Sequence, residues 1–460
     1  MEIKNAWEKY NDDNFKVVMD FAEGYKKFIT DAKTERECVT EAVAICEANG
    51  YVNLDTYIAE GKEIKTGDKV YVTNMKKNLL AFKIGSVPFE KGINILGAHI
   101  DSPRIDLKQN PLYEDTELAL LDTHYYGGIK KYQWVTLPLA LHGVVVKKDG
   151  SSVNFVVGED ANDPVLVISD LLPHLSAGQM KKSASEIIDG EDLNVLIGSI
   201  PLKGEEKEKV KGYMKKILKD KYNFEEDDFI SAEIEVVPAG AARDLGLDAS
   251  MVIGYGHDDR VCAYSSLLAL LEAGDLERTG CCFLVDKEEV GSQGATGAHS
   301  AFFENTIAEI MALMGVDSNL KVRRALANSK MLSSDVSAAF DPNYASVNER
   351  KNTAYFSKGL ALNKYTGSRG KGGCNDANAE FVGQVRAIMD NNGVTWQTAE
   401  LGRVDAGGGG TIACISANYG MEVIDSGVPV LNMHAPWEVI SKVDLYEAKQ
   451  GYLAFLKDAK

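Results

Sequence analysis

The chain has 460 residues, 45% of them hydrophobic and 26% charged, which is typical of a globular protein of two or three domains. Its formal net charge of −18 disfavours binding to nucleic acid or to anionic membranes, because these carry charge of the same sign. No signal peptide and no apolar run of about 18 residues is visible, and the seven cysteines form no CxxC pair. The sequence therefore predicts a cytoplasmic protein with reduced thiols.

The first 50 residues have a helical pattern of apolar residues, and apolar runs typical of strands follow them. Apolar residues recur near a 3.6-residue period over 1–50, which predicts helices there. The apolar runs at Leu79–Ile84 and Ile93–Ile100 predict strands, and 135–170 has the composition of several short strands. The charged segment 202–228 predicts a solvated helix or loop.

From Met251 onwards, apolar strands, loops and amphipathic helices alternate to the end of the chain. This alternation predicts an α/β fold, with helices packed on the faces of a sheet. The pattern over 105–248 is different. We therefore expect an inserted domain at 105–248, within a catalytic α/β domain formed by 1–104 and 249–460.

Residues that can bind a metal follow five of the apolar runs. In chain order they are His99 with Asp101, Asp258 with Asp259, Glu288 with Glu289, then Asp335, and last His434. Each has an ordinary structural interpretation when taken singly, such as a helix N-cap for Asp258 or a core histidine for His434. Open α/β sheets build their sites at the carboxyl ends of strands, so five such coincidences predict one shared site at one edge of the sheet.

The residue types suit a site for two zinc ions. Two such ions about 3.5–4 Å apart need a shared carboxylate with nitrogen and oxygen ligands on each side. Asp258, at a turn before a helix, is a suitable bridge. Asp101 can lie behind His99, because residues i and i+2 of a strand face the same way. Of Glu288 and Glu289, one can hold a metal while the other accepts a proton from metal-bound water.

Five motifs together carry a family resemblance, from about residue 15 to the C-terminus. The chain resembles the aspartyl aminopeptidase family of dinuclear zinc exopeptidases through GAHIDSPRIDLK, YGHDDRVCAYSSLLALL, DKEEVGSQGATGA, SSDVSAAFDP and VPVLNMHAPWE. The resemblance implies a metal-dependent aminopeptidase that releases single N-terminal residues from peptides, acidic ones included. The chain departs from many relatives at Val135 and Thr136, where those carry an Asp-Arg pair after a tryptophan. The alternative is another metal-dependent amidohydrolase, such as a deacylase, with the same metal shells.

The resemblance also implies a role for each candidate residue. Two zinc ions per subunit, which Co²⁺ or Mn²⁺ can replace, would be bound by His99, Asp258, Glu289, Asp335 and His434. Asp258 rather than Asp259 would bridge the ions, because the family places its bridging aspartate first in this pair. Glu288 would be the general base that activates a metal-bridging hydroxide, and Asp101 would orient His99.

Architecture and assembly follow from the same resemblance. It implies a zinc-exopeptidase-like mixed sheet flanked by helices, with a smaller β-rich dimerisation domain at 105–248. It further implies a homo-oligomer, a dodecamer built from dimers, with peptides as substrates and no nucleic acid or membrane partner.

Several residues are candidates for binding the substrate, because consecutive glycines let backbone N–H groups approach a ligand and basic residues stand near them. They are Lys364, Arg369, and Gly409 with Gly410 in the run Gly407–Gly410. His174 is the candidate for a histidine supplied by a neighbouring subunit. A turn or interface role for His174, and a mobile surface loop at the glycines, are equally compatible with the sequence.

Overall fold

The computed structural model describes residues 4–10 and 14–460, and contacts divide them into two units. Unit 1 contains the described residues up to Asp101 together with Ala242–Met433 and Glu438–Lys460. Unit 2 contains Ser102–Ala241 and His434–Trp437. No helix in the described part of the chain is both long enough and apolar enough to cross a membrane.

The described residues form ten α-helices. They are α1 (Phe15–Asp31), α2 (Glu35–Ala48), α3 (Leu54–Glu60), α4 (Lys209–Tyr222), α5 (His257–Glu272), α6 (Phe302–Leu313), α7 (Asn319–Ala327), α8 (Ala379–Asn391), α9 (Ala413–Ala417) and α10 (Lys442–Asp458). The helices expected over 1–50 are a short 3₁₀ helix, α1 and α2, apart from 1–3 and 11–13, which lie outside the described residues. A capping box starts α2, since the Thr34 side chain accepts from the Glu37 N–H and the Glu37 side chain accepts from the Thr34 N–H.

Twenty strands lie in the same described ranges. They are β1 (Val52–Asn53), β2 (Lys69–Asn74), β3 (Asn78–Lys83), β4 (Asn94–His99), β5 (Arg104–Asp115), β6 (Leu118–Tyr126), β7 (Leu139–Val146), β8 (Ser152–Val157), β9 (Val195–Gly198), β10 (Ala232–Pro238), β11 (Arg243–Leu245), β12 (Met251–Gly254), β13 (Gly280–Val285), β14 (Lys330–Ser333), β15 (Ser337–Ala338), β16 (Leu360–Asn363), β17 (Trp396–Thr398), β18 (Glu422–Gly427), β19 (Pro429–Leu431) and β20 (Glu438–Ser441).

A nine-stranded mixed sheet forms the centre of unit 1, in the order β1-β2-β3-β13-β4-β14-β18-β16-β17. Its middle strands β13, β4 and β14 are parallel neighbours, and all six residues of β4 are buried. Alternate residues of β4 belong to two hydrophobic clusters, with Leu96 and Ala98 in one and Ile95 in the other. Since successive strand residues face opposite sides of a sheet, helices cover both faces. This confirms the predicted α/β fold with a mixed sheet flanked by helices.

Unit 1 contains a second sheet of five strands, and two of the strands that precede candidate ligands belong to it. Its order is β11-β12-β20-β19-β15, and β12 pairs antiparallel with both β11 and β20. The strands before Asp258 and His434, which are β12 and β19, therefore belong to a different sheet from the strands before the other candidate ligands. The expectation of a single sheet edge was wrong, because the partners of so short a strand as β12 are not encoded in its own residues.

Unit 2 is built on a six-stranded sheet in the order β8-β7-β10-β5-β6-β9. Its neighbouring strands are antiparallel, so hairpins can connect several of them directly. The main segment of unit 2 ends at Ala241, before the end of the predicted range 105–248. The reason is that β11 pairs with β12, so that 243–245 belong to unit 1. The charged segment 202–228 contains α4, which buries an apolar stripe of Val210, Met214 and Leu218.

Candidate metal centre

His99 ends β4 and lies between two carboxyl groups. Its side chain is 2% exposed, with Nδ1 at 3.3 Å from Asp101 Oδ1 and Nε2 at 3.0 Å from Asp258 Oδ1. Burial alone would lower the pKa of His99, but the hydrogen bonds to Asp101 and Asp258 raise that pKa well above its usual value. The imidazole is therefore fixed on one side by Asp101 and directed towards Asp258 on the other.

The adjacent aspartates at the start of α5 do different things. Gly256, with φ of 78°, precedes this helix, and neither Asp258 nor Asp259 has helical backbone angles. Asp258 lies with His99 and Asp335, whose potential ligand atoms are all within 4.8 Å of one another. Asp259 instead accepts the backbone N–H of His99 at 3.3 Å. Asp258 is thus the member of the pair that lies among the potential ligands.

Glu288 and Glu289 follow β13 in a short 3₁₀ helix, after Lys287 with φ of 69°. The backbone N–H groups of both glutamates donate to the carboxylate of Asp101, at 3.1 and 3.2 Å. The carboxyl oxygens of both lie within 4.8 Å of one another and of a His99 ring nitrogen. Asp101 therefore connects the end of β4 to the segment after β13, in addition to holding the imidazole of His99.

The donor set fits zinc. The imidazole of His99 is shared by two groups, one with Asp258 and Asp335 and one with the two glutamates, and within each group the ligand atoms lie within 4.8 Å of one another. Nitrogen with oxygen ligands is a set that zinc accepts. Burial raises the pKa of Asp335 well above its usual value, and the negative charge of Asp259 adds to this effect. A bound divalent cation reverses this effect, because its positive charge favours the ionised carboxylates. The cluster is thus one that a cation would stabilise.

His434 belongs to unit 2, unlike the residues described above. It follows the end of β19 by three residues, and its Nδ1 is 3.2 Å from the carbonyl oxygen of Gly128. Its assignment as a ligand stays a prediction.

The predicted substrate residues of unit 1 lie on neighbouring loops. Lys364 forms an ion pair with Asp376, while Arg369 is exposed and lines a cavity of about 220 Å³ that Gly407 also lines. Gly408 has φ of 124°, and a Cβ there would lie 2.3 Å from the carbonyl oxygen of Gly367. Close packing of two loops therefore explains at least one glycine of the run without any ligand.

The remaining predicted substrate residues are Gly409, Gly410 and His174, and their surroundings do not indicate a ligand. Gly409 and Gly410 continue the loop to Thr411, whose hydroxyl donates to Asp425 at 2.6 Å. His174 is exposed and belongs to unit 2. The roles of all these residues in substrate binding stay predictions.

Sequence analysis missed Glu438, which begins β20. Its carboxylate is 1% exposed and accepts the backbone N–H of Asp258 at 3.0 Å. Its position directly before the apolar pair Val439-Ile440 predicts a strand, but it does not predict that the glutamate itself is buried, because glutamates are mostly exposed. The partner itself is 180 residues away in the chain, so no local pattern could identify it.

Comparison with known proteins places the chain among aminopeptidases. The family model for aminopeptidase I zinc metalloproteases, M18, matches residues 28–456. A probable M18 family aminopeptidase 1 from Clostridium acetobutylicum is 62% identical over 458 residues, which cover 99% of this chain and 98% of that protein. The crystal structure of aminopeptidase I from that organism superposes with a TM-score of 0.93, covering 99% of each chain.

Two further solved structures are similar. The M18 aminopeptidase of Thermotoga maritima, 44% identical, gives a TM-score of 0.95 over 100% of both chains. The dodecameric mApe1 of Saccharomyces cerevisiae, 19% identical, gives 0.77 over 95% of this chain and 96% of its own. At that identity the yeast protein shares the fold alone.

Proposed function

Because this chain belongs to the M18 family of zinc metalloproteases, we propose where its activity resides. We propose that it releases single residues from the N-termini of peptides, and that it does so at the cluster of side chains around His99. One observation carries the proposal. Residues from four separate segments converge, so that ligand atoms of His99, Asp258 and Asp335, and those of His99, Glu288 and Glu289, lie within 4.8 Å of one another. This is the donor density that a two-metal hydrolase requires.

The proposed zinc ligands are His99, Asp335, Glu289 and His434, with Asp258 shared by two ions. Asp258 suits the shared position because its carboxylate lies with ligand atoms of both His99 and Asp335. His434 is proposed from its motif position after β19. The bound zinc would lower the pKa of a water molecule and polarise the scissile carbonyl. Cobalt or manganese in place of zinc is part of the same proposal.

Glu288 is the proposed general base. A carboxylate suffices for this role, because the proton to be removed comes from a water that is already acidic. The backbone N–H of Glu288 is fixed by Asp101, which also holds His99, so the base and one ligand share a single support. Glu288 would accept the proton and then donate it to the leaving amine.

Substrates with a free N-terminal amine are expected, because the family model and the relatives that match this chain are aminopeptidases. We expect the zinc-loaded protein to hydrolyse aminoacyl-p-nitroanilides and to leave their N-acetyl derivatives intact. A panel of such chromogenic substrates, read by absorbance, would also establish which N-terminal residue is preferred. Cleavage of N-acyl amino acids without cleavage of free-amine peptides would favour the deacylase instead, an alternative that the similarity to proteins named as aminopeptidases does not favour.

We further propose that the chain assembles into dodecamers built from dimers, that unit 2 provides the dimer contact, and that it works in the cytoplasm. The support for the contact is an exposed apolar patch around His174, formed by Leu171, Leu172, Leu175 and Met180, each at least half exposed. Patches of this kind mark interaction surfaces. His174 would thereby reach the site of a neighbouring subunit. Seven free cysteines are consistent with a reducing compartment.

Charges placed in this patch test the contact. We expect Leu172→Asp with Leu175→Asp to convert the oligomer into smaller species, because burying two carboxylates in an apolar interface is strongly unfavourable. Sedimentation velocity measures the change. Leu320→Asp is the matched control, since Leu320 is an equally exposed leucine of α7 in unit 1. An oligomer unchanged by the double substitution would contradict the proposed contact.

A further inference from the structure

Three carboxylates of unit 1 bind backbone N–H groups of the segments that carry the proposed ligands. Asp101 accepts from the N–H groups of Glu288 and Glu289 at 3.1 and 3.2 Å. Asp259 accepts from the N–H of His99 at 3.3 Å, and Glu438 accepts from the N–H of Asp258 at 3.0 Å. All three side chains are at most 1% exposed. Three of the ligand segments are therefore held by acidic residues from other parts of the chain.

The three contacts connect the segments in series. Glu438, in β20, holds the start of α5, and Asp259 in that start holds the end of β4. Asp101, just beyond β4, then holds the segment after β13. The pattern crosses from the five-stranded sheet to the nine-stranded sheet, which contribute different ligands and have no strand in common.

We propose that Asp259 and Glu438 are positioning residues, which fix the backbone of His99 and Asp258 before zinc binds. The inference rests on the proposed function and adds to it two residues whose carboxylates are assigned to neither metal binding nor proton transfer. A side-chain oxygen that accepts a buried backbone N–H satisfies a donor that would be costly to leave without a partner, so the contact is kept in the folded chain. Buried, such a bond leaves its partner little freedom, so the ligand atoms stay at the spacing that two cations need.

This role for Asp259 also explains why two adjacent aspartates are needed at this turn. One carboxylate faces the candidate ligands, and the other faces the backbone of β4. For Asp259 to lie among the candidate ligands, the backbone at this turn would have to direct the Asp259 side chain where the Asp258 side chain now points. The two residues are therefore not equivalent, although they are chemically identical.

The test compares alanine with amide substitutions. We expect Asp259→Ala and Glu438→Ala to raise the zinc dissociation constant about 10–100-fold, the usual effect of losing a group that supports a ligand. Asp259→Asn and Glu438→Gln keep a carbonyl oxygen as acceptor, and should bind zinc within a few-fold of the unaltered chain. Zinc affinity is measured by competition with a chromophoric chelator, and folding is checked by circular dichroism. Glu438→Asp, which keeps the charge but withdraws it by one methylene, should lose affinity like alanine and serves if Glu438→Ala does not fold.

Asp444→Ala is the matched control. Asp444 is also a fully buried carboxylate and accepts the backbone N–H groups of Ser357 and Gly359, both at 2.7 Å, outside the metal cluster. It should lower the unfolding temperature without changing zinc affinity. Unchanged zinc affinity in both alanine variants would overturn the inference, as would equal losses in the alanine and amide variants. An unaltered chain that binds no zinc would instead refute the proposed function itself.

Discussion

The substitution Glu288→Gln is expected to lower kcat about 10²–10⁴-fold while zinc content stays that of the unaltered enzyme. Glutamine has the same shape as glutamate and leaves the backbone bond from the Glu288 N–H to Asp101 in place. It cannot accept a proton, so only the proton transfer is removed. Activity is measured on aminoacyl-p-nitroanilides and zinc by elemental analysis of the dialysed protein.

A suitable control is Glu304→Gln, because Glu304 is a partly exposed glutamate in the first turn of α6, away from the cluster. It should leave kcat and zinc content unchanged. Wild-type turnover by a zinc-loaded Glu288→Gln protein would remove Glu288 from the mechanism. Loss of zinc together with activity would make Glu288 a ligand instead of the base.

Asp258→Ala should have the largest effect on metal content, because a shared carboxylate holds both ions of a two-metal site. We expect loss of most of the zinc and of measurable activity, whereas His434→Ala should lower zinc content by one ion. A ligand that binds only the folded state stabilises it by about 2.7 kcal/mol at one hundred times its dissociation constant. Added zinc should therefore raise the unfolding temperature of the unaltered chain but not that of Asp258→Ala.

Two outcomes would contradict this prediction. Full zinc content in Asp258→Ala would exclude Asp258 as the shared ligand, and full zinc content in His434→Ala would exclude His434. Asp444→Ala provides the reference for an aspartate substitution that disturbs packing alone, since Asp444 is buried and outside the metal cluster.

The sequence was sufficient to bring together those candidate ligands that follow strands of the main sheet. His99 and Asp335 follow apolar runs that became β4 and β14, and parallel neighbours bring their carboxyl ends together. Asp258 was identified by motif, but its sheet was not, because β12 has four residues and its partner β20 is nearly two hundred residues further on. Long-range pairing of this kind leaves no local periodicity.

The backbone-binding role of acidic residues was beyond sequence reasoning for a related reason. An aspartate that accepts an N–H and an aspartate that lies among candidate ligands have the same side chain, so the sequence could not distinguish Asp259 from Asp258 by residue type. Glu438 shows the same limit, since neither its burial nor its partner was predictable from the residues around it. The loop with Gly408 gave a pattern that suits a ligand, while close packing against Gly367 accounts for that glycine directly.

The parallel neighbours β13, β4 and β14 have a consequence for how such enzymes diverge. Backbone hydrogen bonds hold adjacent strands at about 4.7–4.9 Å, whatever the side chains between them. The distance between His99 and the segment after β13 is thus set by the pairing of β4 with β13. The cavity near Arg369 is instead lined by loops, which this pairing does not fix. Mutations in those loops can therefore change the lining of that cavity while the spacing of the strand ends stays the same, so that relatives with this sheet can differ mainly in their loops.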